Sequence, residues 1–176
     1  MSSGSNRADI GDNFSMKRPT LFLLVGPPGA GKSTYARGAF PADWIVSADD
    51  VRESMTEWRR DDPVATFKYL VPFRAAFARA ISLALQQRLR AGLHAVYDDM
   101  NLHPPVRHNL LRLVPKAACV RYVLIDRPLE AKLADRGSRT ERLIVQLHEM
   151  FQVELPNLLA GDGCEFVTVE DRRILR

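Results

Sequence analysis

Cysteine is scarce in this 176-residue sequence: Cys119 and Cys164 are the only two. No second pair supplies metal-ligand spacing, so a zinc site built on paired cysteines is excluded. Cys119 sits in an apolar, strand-like run and reads as a buried, reduced thiol. No apolar run approaches the roughly 18–20 residues that a membrane-spanning helix needs. The first residues lack the basic-then-apolar order of a secretory signal. Together these absences predict a cytoplasmic protein with no membrane segment. Charge of one sign is not extreme either. The net charge is +4 and the pI about 9.3, short of the balance of a dedicated nucleic-acid coat. Lysine is rare beside arginine, and two readings of that bias stay open. GC-rich codon usage produces it, and so does phosphate binding, because guanidinium forks grip phosphate oxygens bidentately.

What is present suffices for one domain with a real core: 46% of the residues are hydrophobic, with no internal repeat. Residues 1–19 are polar and aperiodic and read as a mobile leader, with Met16 an alternative start. Residues 20–176 then form the domain. Thr20–Val25 is a continuous apolar run, the mark of a strand buried on both faces. A glycine-rich turn and a helix from about Lys32 to Ala39 follow. Trp44–Val46 is a second strand. Asp50 and Glu53 have capping-box spacing, which predicts a helix from about Val51 with Asp50 as its cap. The 59–63 stretch is a charged break. A helix is expected from Pro72 to Ala91, with Phe73, Phe77, Ile81, Leu85 and Leu89 as one buried stripe. Further strands are expected at His94–Tyr97, Ala118–Ile125 and Glu165–Val169, with helices opening at Pro104 and Pro128 and a long amphipathic helix ending near Leu159. Strands alternating with helices predict an α/β fold, a parallel sheet of about five strands sandwiched between helices.

Gly26-Pro27-Pro28-Gly29-Ala30-Gly31-Lys32-Ser33 matches G-x-x-x-x-G-K-[ST] at every fixed position, between a strand and a helix. This is the signature of a P-loop NTPase. The glycines let main-chain N–H groups turn inward around phosphates, and the helix N-terminus adds its partial positive charge. Lys32 is expected at the β- and γ-phosphates of ATP, Ser33 on Mg²⁺, and Thr34 on the α-phosphate side. The loop by itself does not separate ATP from GTP.

Transfer to a hydroxyl needs a base, cations over the moving phosphoryl group, and a surface that orients the acceptor. Such groups belong at the carboxyl ends of parallel strands. The end of the second strand offers Asp49 as the base and Arg52 as its orienting or acceptor-binding partner. The end of the third offers Asp98, Asp99 and Asn101. A carboxylate there is placed for Mg²⁺ or for the acceptor pocket, and Asp99 is preferred over Asp98. Arg136 and Arg139 lie in a short polar segment between two helices, the place of a lid that closes over phosphates and excludes water.

These pieces together resemble the kinase module of bacteriophage and bacterial 5′-polynucleotide kinases, within the P-loop kinase group. The resemblance spans roughly residues 20–155. It rests on GPPGAGKST at 26–34, the D-x-x-R element Asp49–Arg52, the D-x-N element Asp99–Asn101 and the arginines at 136–139. It implies a nucleoside-kinase-like fold with an arginine lid, and ATP with Mg²⁺ as cofactors. It implies Asp49 as the base toward a 5′-hydroxyl and Arg52 on an acceptor phosphate. Asp99 and Asn101 would shape the acceptor pocket, and Arg136 and Arg139 would engage ATP. The lid's Arg-Gly-Ser-Arg-Thr has closer arginine spacing than the phage form, and the D-x-D-G-T motif of an accompanying phosphatase is absent from the sequence.

The expected activity is therefore ATP-dependent phosphorylation of the 5′-hydroxyl of a DNA or RNA end. Trp58, Arg59 and Arg60 are candidates for a strand-lining groove. A zeta-toxin-like or small-metabolite kinase with another hydroxyl acceptor is the nearest alternative, and a regulatory ATP-binding module the third. Arg172 and Arg173 fall, by chain order, near the adenine. Oligomeric state is not encoded in any of these features.

Overall fold

In a computed structural model of the protein, residues 18–57 and 71–174 are described. The leader up to residue 17, the groove candidates Trp58, Arg59 and Arg60, and the 59–63 break lie outside the described residues. The elements in chain order are β1 (Thr20–Val25), α1 (Lys32–Ala39), β2 (Ile45–Ser47), α2 (Ala48–Met55), α3 (Val71–Arg90), β3 (Ala95–Asp98), α4 (Pro104–Leu113), β4 (Cys119–Leu124), α5 (Leu129–Ala134), α6 (Glu141–Leu159) and β5 (Val167–Asp171). The strands form one parallel sheet in the order β2-β3-β1-β4-β5.

The central place of β1 explains its unbroken apolar sequence. All six residues are buried, and successive side chains enter opposite cores. Leu21, Leu23 and Val25 pack with Ile81, Leu85 and Leu89 of α3 and Phe151 of α6. Phe22 and Leu24 pack with Ala36 of α1 and with Phe40 and Trp44 just beyond it. Each such side chain contributes roughly 1.5–3 kcal/mol through removal from water, so the strand is pinned from both sides.

Two local expectations change. The α3 stripe holds for Phe77, Ile81, Leu85 and Leu89, but Phe73 is 44% exposed. The first six residues of α3 are all exposed, so the four-residue period runs on past the edge of the core. Helix α2 starts at Ala48, with Ser47 as its cap: the Ser47 hydroxyl accepts from the Asp50 N–H at 3.2 Å. Asp50 thus sits in the first turn, where a carboxylate suits the positive end of the helix dipole.

The register places Ser47 beside Asp98 and Val25 beside Leu124. The carboxyl ends of four strands therefore share one rim, and everything that follows is built there.

Candidate active site

The glycine-rich turn owes its shape to close packing. A Cβ on Gly26 would stand 1.9 Å from the Ile125 carbonyl oxygen, so only glycine fits there. The Gly26 N–H donates to the Met100 carbonyl at 3.1 Å, tying the loop to the end of β3. Gly29 and Gly31 take φ of 76° and 95°, turning the chain into α1. Lys32 opens that helix. Its Nζ donates to the Gly26 and Pro27 carbonyls at 2.9 and 3.0 Å. Burial lowers its pKa to about 8, against the opposing pull of Asp98 and Asp99. Ser33 and Asp98 stand side by side in the cleft. Burial raises the Asp98 pKa, while the neighbouring Ser33 hydroxyl and Lys32 counter the rise.

The facing wall comes from β2, α2 and β3. Arg52 Nη1 donates to Asp49 Oδ1 at 2.6 Å, one helical turn away, and Nη2 reaches Asp99 Oδ2 at 3.4 Å. Asp99 is itself held twice more: the Tyr97 hydroxyl donates to Oδ2 at 3.0 Å and the Met100 N–H to Oδ1 at 2.9 Å. Burial first, then the Asp99 charge, pushes the Tyr97 pKa upward, so the phenol stays a neutral donor. Asp99 is thus a fixed anchor for Arg52, and Arg52 in turn orients Asp49.

Between the walls lies a cleft of about 590 Å³. The structure brings Lys32, Ser33, Thr34, Asp49, Arg52, Asp99 and Arg139 to it. It does not bring Asn101 or Arg136. Asn101 is buried, takes φ of 51°, and donates from Nδ2 to the Leu24 carbonyl at 2.8 Å. Its Nδ2 fastens the turn after β3 to β1, its Oδ1 is buried without a hydrogen-bond partner, and it does not line the cleft. Arg136 turns away toward Glu141, 3.8 Å off, and is about half exposed. Of the two arginines expected in a lid, Arg139 lines the cleft and Arg136 does not.

At Asp98, ranked second in the sequence, and at Arg127, not singled out there, the cleft departs from the sequence reading. Asp98, not Asp99, is the carboxylate beside Ser33. Adjacent aspartates at a strand end face opposite ways, and the sequence does not show the parity. Arg127 follows β4; its Nε donates to the Gly29 carbonyl and its Nη2 to Asp135 at 2.6 Å. The strand-end rule applied to β2 and β3 would have found it at β4. Arg172 and Arg173 extend β5 and pair with Glu170 and Asp171 at 2.6 and 2.5 Å.

The donor set fits a nucleotide and a hard divalent cation: inward-turned main chain, an ammonium group, and a hydroxyl paired with a carboxylate. Among the described residues no cluster of three or more His, Cys, Asp or Glu side chains forms a metal cage. No helix among the described residues is long and apolar enough to cross a membrane.

Comparison with known proteins bears on the family and the fold. Residues 21–143 match the family described as an AAA domain. No curated protein matches the chain in sequence. Among solved structures, a chain of a Pnkp1/Rnl/Hen1 complex is similar with a TM-score of 0.55 and 22% identity, over 69% of this chain and 40% of its own. A chain of the Pnkp1/Rnl/Hen1 RNA repair complex gives 0.62 and 19%, over 88% and 49%. Shikimate kinase from Acinetobacter baumannii, bound to shikimate, gives 0.53 and 17%, over 86% and 83%. The chain spans less than half the length of the first two. At these identities the likeness is one of fold, and that fold is the P-loop kinase fold.

Proposed function

The chain belongs to the AAA domain family and has the P-loop kinase fold, and from that premise we propose that it transfers the γ-phosphate of ATP to the 5′-hydroxyl of a DNA or RNA end. The observation that carries the reading is the Asp49–Arg52–Asp99 bridge facing Lys32 and Ser33 across one cleft. A carboxylate held by an arginine opposite a phosphate loop is what a hydroxyl acceptor needs: a proton acceptor beside a cation that can take an adjoining phosphate. A nucleic-acid end supplies that adjoining phosphate, which favours it over a phosphate-free metabolite. One fold neighbour belongs to what is described as the Pnkp1/Rnl/Hen1 RNA repair complex.

In the proposed reaction Asp49 takes the proton of the acceptor hydroxyl. The acceptor oxygen bonds to the γ-phosphorus as the bond from that phosphorus to the β–γ bridging oxygen breaks, and ADP leaves. Lys32 and Arg139 offset charge on the migrating group, and Arg127 steadies the loop through Gly29. Ser33 and Asp98 would hold Mg²⁺, which when bound neutralises phosphate charge. Leu143 and Leu147 give the cleft a dry side that disfavours transfer to water.

The test is transfer of labelled γ-phosphate to 5′-hydroxyl oligonucleotides, DNA and RNA in parallel, with Asp49→Asn as the control. Label that vanishes in the variant supports both acceptor and base. ATP binding without label on either oligonucleotide moves the acceptor to a small-molecule hydroxyl. Label that persists in the variant removes Asp49 as the base.

A further inference from the structure

Lys132 is fully buried, and the mechanism above does not use it. Its Nζ lies 2.5 Å from Asp126 Oδ1 and 2.6 Å from His148 Nδ1. The other Asp126 oxygen accepts from Gln152 at 3.4 Å and stands 3.7 Å from His148 Nδ1. The Lys132 stem lies under the phosphate loop: a Cβ placed on Gly29 would be 3.4 Å from Lys132 Cβ. The cluster therefore joins the end of β4, helix α5 and helix α6. Those two helices bound the 135–140 segment that carries Arg139. A buried ion pair is a weak source of stability, because desolvation offsets its attraction, but it can specify one geometry.

We propose that Lys132 is a positioning residue that, through Asp126 and His148, sets the Arg139 segment in register with the phosphate loop. It touches no phosphate itself. The inference rests on the reading that the cleft binds ATP and is independent of the acceptor. It carries a consequence for pH. Neutral His148 with its lone pair on Nδ1 accepts a hydrogen bond from Lys132; protonated His148 has no lone pair left and faces an ammonium group at 2.6 Å. Lys132 and Glu130 of α5, Asp126 after β4, and Glu149 of α6 itself are the charged groups that act on the ring. Burial and Lys132 hold its pKa below the ordinary value, which puts the disruption in mildly acidic solution.

The experiment measures the Kd of a fluorescent ATP analogue from about pH 7.5 to about pH 5.5, with folding checked by circular dichroism. Lys132→Met is expected to weaken binding by about tenfold at neutral pH, the scale of one lost charged hydrogen bond. His148→Asn keeps an acceptor near Nδ1 and removes the titration. It should bind as the wild type does at neutral pH and lose less affinity on acidification. Protonation of the nucleotide acts on both proteins alike, so the difference between them is the readout. Parallel pH curves, or a folded Lys132→Met variant with wild-type affinity, would overturn the inference alone. A wild-type protein that binds no ATP would overturn the reading of the cleft as well. If Lys132→Met does not fold, the His148→Asn curve decides.

Discussion

The phosphate wall of the cleft is one run of residues, Gly26–Thr34, shaped by main-chain contacts. The facing wall is three side chains, Asp49, Arg52 and Asp99, drawn from two separate strand ends. The first wall is rigid because glycines and buried carbonyls leave no other path, as the 1.9 Å approach to Ile125 shows. The second is held by partly exposed ion pairs, which are individually weak. It is accurate only because buried groups stand behind it, Tyr97 under Asp99 and Asn101 across to Leu24. A contiguous motif can be carried from fold to fold. A constellation of this kind depends on the sheet that assembles it.

The contrast is sharpest where each wall is asked to fail alone. Asp49→Asn should lower turnover by roughly two to four orders of magnitude while the Kd for ATP stays within about twofold; equal losses in both would merge the walls into one unit. Gly26→Ala should strike stability instead. Displacing a buried carbonyl costs about 3 kcal/mol, or roughly 6–12 °C in Tm for a chain of this size, and a thermal melt with unchanged Tm would show that the loop yields. Tyr97→Phe should lower turnover about fivefold, the worth of one hydrogen bond of about 1 kcal/mol, with ATP affinity kept. Steady-state kinetics that move only the KM for ATP would place Tyr97 on the wrong wall.

The smallest effect expected is a fraction of a proton. Free Lys32 titrates at about 8 rather than at 10.5, because burial disfavours its charge. Phosphates beside it favour the charge again, so nucleotide binding near pH 8 should take up roughly half a proton. Calorimetry in buffers of different ionisation heat measures that uptake, and identical enthalpies in all of them would contradict it. The stability linkage of the free protein has a definite sign. Lys32 holds its proton in both states below about pH 8, where the burial cost is felt in full. Between about pH 8 and the unfolded value of 10.5, the unfolded chain binds more protons, so this group makes the fold more stable as pH rises.

Much of this was legible in the residues. The P-loop, the α/β alternation and the strand-end placing of Asp49 and Arg52 follow from patterns a few residues long. The misses share one cause. Asp50 and Ser47 are both good caps, and which one serves depends on where the strand before them stops. Asp98 and Asp99 differ only in parity. Arg136 and Arg139 differ only in which way a short turn faces, and Arg127 went unnoticed because it stands outside any motif. In each case the deciding information is a direction in space.

The sequence by itself determined the phosphate loop, the parallel sheet and the chemistry available at its rim, because those depend on local sterics, hydrophobic period and residue type. Tertiary structure alone decided that Asp98 stands beside Ser33, that Arg52 ties Asp49 to Asp99 and that Asn101 Nδ2 reaches across to β1. It also decided that Lys132 lies buried beneath Gly29. Those contacts join positions far apart along the chain, and they exist only once strand order and register have brought the strand ends to one edge.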